Sequence, residues 1–143
     1  MRRRGVQLIV VMAAALLLAS GVAIAATVTC QPGSTPDKPC TGTNSDDTIT
    51  GTSGKDYING KWGSDSIDGK DGDDTLDGGY NRDTITGGSG SDTIYGGYNR
   101  DTIYAGGDPD VKDYIYCGPD EDTVVTADPI DYIAPTCENR PQA

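Results

Sequence analysis

The sequence contains no histidine and no phenylalanine, and only two of its 22 acidic residues are glutamate. Without histidine, this chain alone cannot build a serine-hydrolase triad, a histidine-ligated zinc site or a histidine general base. Its formal net charge of −11 argues against non-specific binding to nucleic acid. We therefore predict that the protein is not an enzyme and does not bind nucleic acid. The abundant aspartate instead favours turns and hard cations.

Residues 1–25 have the pattern of a secretory signal peptide. Arginines precede an apolar stretch that starts at Val6, and Ala23-Ile24-Ala25 offers small residues for cleavage. Cleavage after Ala25 leaves 118 residues (143 minus 25) with 8 basic and 22 acidic groups, a net charge of −14. We predict a secreted, extracellular protein with no stable membrane insertion after cleavage. An uncleaved signal anchor and a lipoprotein signal ending at Cys30 are the alternatives.

The four cysteines predict disulfides, because the chain is expected to enter an oxidising compartment. Three connectivities are possible. The sequence spacing favours pairing of neighbours, Cys30 with Cys40 and Cys117 with Cys137. A zinc site made of four thiolates is the alternative, but the spacing lacks the close cysteine pairs of zinc ribbons.

Between the two cysteine pairs the sequence repeats every nine residues. Glycine always occupies position 1, aspartate position 6, and isoleucine or leucine position 8. No insertion interrupts the seven regular units, and proline is absent from Cys40 to Asp108. The units are GTNSDDTIT from Gly42, GTSGKDYIN from Gly51, GKWGSDSID from Gly60, GKDGDDTLD from Gly69, GGYNRDTIT from Gly78, GGSGSDTIY from Gly87 and GGYNRDTIY from Gly96.

Three weaker units follow, and the first of them is stretched to twelve residues. Their equivalents of the repeated aspartate are Asp113, Asp122 and Asp131. The array therefore extends over about 93 residues. The predicted organisation is a signal peptide (1–25), a Pro-rich N-terminal segment with a cysteine pair (26–41), the repeat array (42–134) and a C-terminal tail (135–143).

Each unit has the chemistry of one turn and one short strand. Glycine at position 1 and often at position 2, with glycine or asparagine at position 4 in six of the seven regular units, allows a tight turn, because these residues accept positive φ. Positions 7 to 9 alternate polar, apolar and polar side chains, as in a strand that buries one face. Two units make a coil of about 18 residues, and stacked coils pair each strand in parallel with the strand two units on. The predicted fold is an all-β parallel β-roll (β-solenoid) with two repeats per coil.

This stacking places equivalent aspartates about 4.8 Å apart on the same flank of the roll. Each such pair would repel by about 3 kcal/mol at an effective dielectric constant near 20. A cation between them removes the repulsion, and the available ligands are carboxylate and turn carbonyl oxygens. This oxygen-only donor set favours calcium over magnesium or a soft metal.

The units resemble the repeats-in-toxin (RTX), or hemolysin-type, calcium-binding nonapeptide Gly-Gly-x-Gly-x-Asp-x-apolar-x. The flanking cysteines resemble those of small stand-alone secreted proteins of this type, in which a Cys-bearing final repeat runs on to a Cys-Glu dipeptide, here Cys137-Glu138. The resemblance implies several calcium ions held between successive turns by the position-6 aspartate and by backbone carbonyls. The implied metal-binding residues are Asp47, Asp56, Asp65, Asp74, Asp83, Asp92, Asp101, Asp113, Asp122, Gly51, Gly54, Gly60, Gly63, Gly69, Gly72, Gly78, Gly87, Gly90 and Gly96.

The predicted function is that of a secreted calcium-binding protein that folds when the ions bind. The alternative is a calcium-stabilised cell-surface adhesin or interaction module, in which a ladder of Tyr80, Tyr98, Arg82 and Arg100 contacts a protein or glycan partner. A disordered acidic linker is a further alternative. A threonine array for ice binding is disfavoured, because positions 2 to 5 vary too much between units.

The repeat also predicts a difference between the two flanks. Units two, four and six carry glycine at position 4, whereas Ser45, Asn81 and Asn99 hold that position in units one, five and seven. We expect the flank of the even units to bind calcium more tightly.

Overall fold

The computed structural model of the chain describes residues 25–139, so the predicted signal peptide lies outside the described residues except for Ala25. All regular elements in this part are strands, and none of it forms a helix long and apolar enough to cross a membrane. The strands are β1 (Thr27–Thr29), β2 (Cys40–Thr41), β3 (Thr48–Thr50), β4 (Tyr57–Asn59), β5 (Ser66–Asp71), β6 (Thr75–Tyr80), β7 (Thr84–Ser89), β8 (Thr93–Tyr98), β9 (Thr102–Tyr104), β10 (Tyr114–Tyr116), β11 (Thr123–Thr126) and β12 (Tyr132–Ile133).

The strands form two parallel six-stranded sheets, in the orders β1-β3-β5-β7-β9-β11 and β12-β10-β8-β6-β4-β2. Each strand therefore pairs with the strand two places further along the chain, and successive strands alternate between the sheets. This topology is a β-solenoid of about six coils. It confirms the predicted parallel β-roll with two repeats per coil.

The core is a double column of position-8 side chains between the sheets. Ile49, Ile67, Ile85 and Ile103 are in register in the first sheet and are at most 1% exposed. The second sheet aligns its own column from Ile58 to Ile115 in the same way. Burial of each such side chain stabilises the fold by about 1.5–3 kcal/mol. Since each strand contributes only one of them, the core is narrow.

The N-terminal segment is part of the solenoid. Strand β1 pairs with β3 and places Val28 beside Ile49, so the stack of strands begins before the first repeat at Gly42. The disulfide Cys30–Cys40 closes the loop between β1 and β2. The second disulfide, Cys117–Cys137, is buried at the C-terminal end of the core. The predicted pairing of neighbouring cysteines is confirmed.

Turn glycines at position 4 pack against the preceding coil. Gly72 has a φ of +117°, and a Cβ at this position would lie 2.6 Å from the carbonyl carbon of Gly54. Gly54 occupies the same position one coil earlier, but its φ is not positive and a Cβ there would meet nothing within 4 Å. Close approach between coils therefore requires glycine at 72 and leaves position 54 free.

We predict that Gly72→Ala destabilises the roll, whereas Gly54→Ala is close to neutral. A non-glycine residue at such a φ costs roughly 1–2 kcal/mol, and the collision with the neighbouring turn adds to that loss. Thermal unfolding of both variants at one fixed calcium concentration measures the difference. Equal losses of stability in the two variants would contradict this account of the turns.

Candidate metal centre

The fold buries the whole column of position-6 aspartates. Their exposed fractions are between 0% and 3%, as low as those of the core isoleucines. A buried carboxylate is strongly destabilising unless hydrogen bonds and a counter-charge compensate for the lost water. The buried aspartates are Asp47, Asp56, Asp65, Asp74, Asp83, Asp92, Asp101, Asp113 and Asp122.

In every ladder aspartate except Asp56, one carboxylate oxygen is held by a backbone N–H of the preceding coil. The amide N–H of Asp47 donates to Oδ1 of Asp65 at 2.8 Å, and the N–H of Asp65 donates in turn to Oδ1 of Asp83 at 2.8 Å. The same bond joins Asp56 to Asp74 at 2.7 Å. Two hydrogen-bonded ladders of aspartates result. We name them the odd ladder (Asp47, Asp65, Asp83, Asp101, Asp122) and the even ladder (Asp56, Asp74, Asp92, Asp113, Asp131).

The second carboxylate oxygen has no hydrogen-bond partner in six of these residues. Such buried, unpaired polar atoms are rare in folded proteins, and each costs about 1–3 kcal/mol or more when charged. Their repetition at one position of the repeat indicates a cation-binding position rather than an isolated defect. The six atoms are Oδ2 of Asp65, Asp74, Asp83, Asp92, Asp101 and Asp122.

Five of the six unpaired oxygens lie against the position-1 glycine of their own unit, and the sixth belongs to Asp122, whose unit begins with Cys117. A Cβ on Gly69 would lie 2.6 Å from Oδ2 of Asp74 and 2.5 Å from the carbonyl oxygen of Gly87 on the next coil. Glycine therefore preserves a space that a carboxylate oxygen and a carbonyl oxygen both approach. These are hard oxygen donors, and they fit calcium. The other position-1 glycines expected at the sites are Gly51, Gly60, Gly78, Gly87 and Gly96, each beside its own aspartate.

Within residues 25–139, no three acidic or cysteine side chains converge on a common point. The aspartates of one ladder follow one another along the stack and do not form a cluster. A calcium ion at these positions would therefore take backbone carbonyl oxygens as well as carboxylates, in agreement with the oxygen-only donor set expected from the sequence.

Burial raises the pKa of seven ladder aspartates. The pKa of Asp83 rises to about 8, and those of Asp74, Asp92 and Asp101 rise to about 7. Loss of water is the largest cause, neighbouring aspartates of the same ladder raise the values further, and the donated backbone N–H partly offsets both. The pKa values of Asp65, Asp113 and Asp122 rise to about 6. Burial without a cation therefore shifts these seven carboxyl groups toward the protonated acid, most strongly at Asp83.

The first aspartate of each ladder differs from the six. Thr43 donates its backbone N–H to Oδ2 of Asp47 at 2.5 Å and its hydroxyl at 2.9 Å. Thr52 makes the same two bonds to Oδ2 of Asp56, at 2.6 and 2.9 Å. Sequence reasoning had grouped Asp47 and Asp56 with the other aspartates. The available signal was threonine at position 2, which occurs only in units one and two of the regular repeats.

The flank of the even units was expected to bind calcium more tightly because of its glycine at position 4. In units five and seven, the backbone conformation at that position gives no basis for this difference. Asn81 and Asn99 adopt φ values of 84° and 77°, so they enter the same left-handed region as Gly63, Gly72 and Gly90 at position 4. Asparagine tolerates this region better than most residues do. Moreover, four of the six unpaired oxygens belong to the odd ladder and two to the even ladder.

An aromatic stack lies at the surface of the odd units. The ring centroids of Trp62 and Tyr80 are 4.3 Å apart and those of Tyr80 and Tyr98 are 4.8 Å apart, with nearly parallel planes. This confirms the predicted tyrosine stack and adds Trp62 to it. Arg82 and Arg100 line a separate groove, where Arg100 pairs with Glu121.

The raised pKa values predict an inverted pH dependence for the calcium-free chain. Each folded-state pKa lies above the unfolded value near 3.9, so the stabilisation is complete below about pH 4 and is lost as pH rises through about 6 to 8. After calcium removal on a chelating resin, β signal in circular dichroism should increase from pH 8 to pH 5. A signal independent of pH would contradict these buried carboxylates.

Comparison with known protein families finds one match, the RTX calcium-binding nonapeptide repeat (four copies), over residues 41–76 and 77–111. No curated protein and no solved structure matches the chain. The matched span contains the seven regular units and their buried aspartates. The repeat of this family is a calcium-binding element and not a catalytic one. Residues 41–111 of this chain therefore belong to the RTX calcium-binding nonapeptide repeat family.

Proposed function

We propose that this is a secreted calcium-binding protein whose repeats take up several calcium ions and fold as the ions bind. The observation that carries the proposal is the set of six buried aspartate oxygens without a hydrogen-bond partner, repeated at one position of the unit. The signal-peptide pattern of residues 1–25 and the two disulfides support secretion, since disulfides persist in oxidising compartments.

The proposed calcium ligands are the aspartates of the two ladders downstream of Asp47 and Asp56. Asp65, Asp83, Asp101 and Asp122 would serve the odd side, and Asp74 and Asp92 the even side, together with turn carbonyls beside the position-1 glycines. Asp113 is also buried and has a raised pKa, so we place it with them. Asp47 and Asp56 would act as the metal-independent first rungs, because their oxygens are already hydrogen-bonded.

Coupling between binding and folding follows from charge and core size. The unfolded chain keeps its aspartates in water, whereas the roll stacks them in two buried columns. Calcium binds the columns and has no comparable site in the unfolded chain, so its binding free energy contributes directly to folding. Extracellular calcium modules typically bind at about 10⁻⁴–10⁻³ M, and we expect this range here.

We predict opposite effects of Asp83→Asn with and without calcium. The amide preserves an Oδ1 acceptor for the N–H of Asp65 but removes the buried charge and replaces Oδ2 with a donor. The calcium midpoint for folding should rise several-fold and the stoichiometry should fall. In calcium-free buffer at pH 8 the same variant should be more structured than the wild type. Circular dichroism and calcium titration calorimetry measure both effects.

Asp47→Asn is the matched control. Its amide would face the N–H of Thr43 with another donor, so this variant should lose stability in both conditions, with calcium stoichiometry unchanged. If Asp83→Asn and Asp47→Asn reduce the stoichiometry equally, the unpaired oxygens do not mark the calcium sites.

A second candidate function is an interaction module in which calcium only stabilises the roll. The observation that favours it is the aromatic stack, whose Trp62, Tyr80 and Tyr98 are 53%, 40% and 53% exposed. Exposed aromatic side chains are over-represented at binding surfaces. The stacked rings cover each other's faces, so a partner would contact their edges and the outer faces of Trp62 and Tyr98.

We predict that, if this candidate is right, Trp62→Ala abolishes calcium-dependent capture of a protein or glycan partner without changing the calcium midpoint by more than about twofold. Tyr104→Ala is the control, because Tyr104 is exposed outside the stack. Glycan arrays and pull-downs performed with and without calcium measure capture. Partner binding that Trp62→Ala leaves intact would eliminate the stack as the interaction surface.

A further inference from the structure

Each ladder needs a donor for its first rung, because no earlier aspartate supplies one. On the even ladder, the hydroxyl of Ser34 donates to Oδ1 of Asp56 at 3.0 Å. On the odd ladder, the backbone nitrogen of Ala26 donates to Oδ1 of Asp47 at 2.8 Å. Ala26 is also the residue that follows the expected cleavage point after Ala25.

The nitrogen of Ala26 is fixed in place by the fold around it. The carbonyl oxygen of Ala26 accepts a hydrogen bond from the N–H of Thr48 at 2.9 Å, and strand β1 begins at the next residue. Strand β1 pairs with β3, and the disulfide at Cys30 fixes its far end. The contact with Asp47 therefore belongs to the sheet register and not to a loose end.

We propose that cleavage between Ala25 and Ala26 creates an α-ammonium group that forms an ion pair with buried Asp47 and provides the first rung of the odd ladder with a built-in cation. The inference rests on the secretion that forms part of the proposed function. A secretory signal peptidase is the catalyst. Water adds a hydroxyl to the carbonyl carbon of Ala25 and a proton to the nitrogen of Ala26, the amide bond between them breaks, and the freed amine takes a second proton from solvent.

The residues around the nitrogen of Ala26 can accommodate an ammonium group. Ala25 is exposed, so its removal loses little packing. The ammonium protons of Ala26 that do not bind Asp47 can then be hydrated by solvent. The side chain of Asp47 otherwise accepts hydrogen bonds from Thr43, whose donors are neutral. Within residues 25–139 no lysine or arginine pairs with Asp47. The ammonium would therefore supply the positive charge that calcium supplies to later rungs.

Cleavage then acts on stability as well as on export. Before cleavage, the nitrogen of Ala26 offers one neutral amide N–H. After cleavage it offers a charge-assisted hydrogen bond, which is roughly twice as strong. The effect requires the cut to fall at this one peptide bond, because a chain one residue longer or shorter moves the ammonium away from Asp47.

The test compares chains that differ only at the first nitrogen. Native ligation at Cys30 joins a synthetic thioester of residues 26–29 to residues 30–143, with Ala26 carrying either a free amine or an acetyl group. The acetyl group restores a neutral amide and mimics the carbonyl of Ala25. At one fixed calcium concentration, acetylation should lower the folding equilibrium constant by about tenfold, which corresponds to about 1.4 kcal/mol, and the calcium midpoint for folding should rise. The same acetylation should have no effect in the Asp47→Asn background.

An acetyl effect of equal size in both backgrounds, or no effect in the wild type, would overturn the ion pair. If Asp47→Asn does not fold, the rate of chemical labelling of amines in the chain with a free Ala26 amine provides the test. The Ala26 amine should react at least about tenfold more slowly in the folded than in the unfolded chain, whereas the labelling rate of exposed Lys55 should be the same in both. Equal labelling rates for Ala26 in the folded and unfolded chain would also overturn it. Thermal unfolding of the free-amine and the acetylated chain detects the ion pair even if calcium does not drive folding. Failure of the ion pair can therefore be distinguished from failure of the proposed function.

Discussion

The structure depends on one constraint, which is that every coil buries an aspartate directly above and below its equivalents. In every ladder aspartate except Asp56, one oxygen accepts a backbone N–H of the preceding coil, at 2.8 Å in the pair Asp47 and Asp65. In six of the ladder aspartates the other oxygen has no hydrogen-bond partner. Glycine at position 1 preserves the necessary space, and the single core side chain per strand leaves little other stabilisation to offset an unbalanced charge.

Three of the four ladder ends satisfy both carboxylate oxygens with hydrogen bonds, whereas Asp122, at the C-terminal end of the odd ladder, keeps an unpaired Oδ2. Thr43 and Thr52 donate twice each to the first aspartates, and Ser34 supplies the hydroxyl that no earlier coil provides. At the C-terminal end of the even ladder, both oxygens of Asp131 accept backbone N–H bonds, from Asp113 and Asp128. The disulfides lie in these same two end regions, where the repeat is weakest. Hydrogen-bond donors of the chain itself thus satisfy the first aspartate of each ladder and the last aspartate of the even ladder.

Most of the fold followed from the sequence, because a strict period of nine fixes both the turn and the side chain that faces inward. The disulfide pairing followed from spacing. Three features did not follow. The hydrogen bonds of Asp47 and Asp56 depend on the hydroxyl of a threonine four residues earlier in the chain. A comparison of the three invariant positions of the repeat does not include that threonine. Asn81 adopts a positive φ like the glycines at position 4 of other units. The residue type alone does not determine that angle. Strand β1 lies outside the repeat and has no periodic signal.

The most direct test of the central claim is a calcium titration of residues 26–143 with both disulfides intact, followed by circular dichroism and by hydrodynamic radius. If calcium completes the buried carboxylate ladders, the calcium-free chain at pH 8 is expanded, and it gains β signal and contracts together at about 10⁻⁴–10⁻³ M calcium. An unchanged β spectrum and radius after exhaustive removal of calcium would show that the ladders are stable on their own, and would contradict the account.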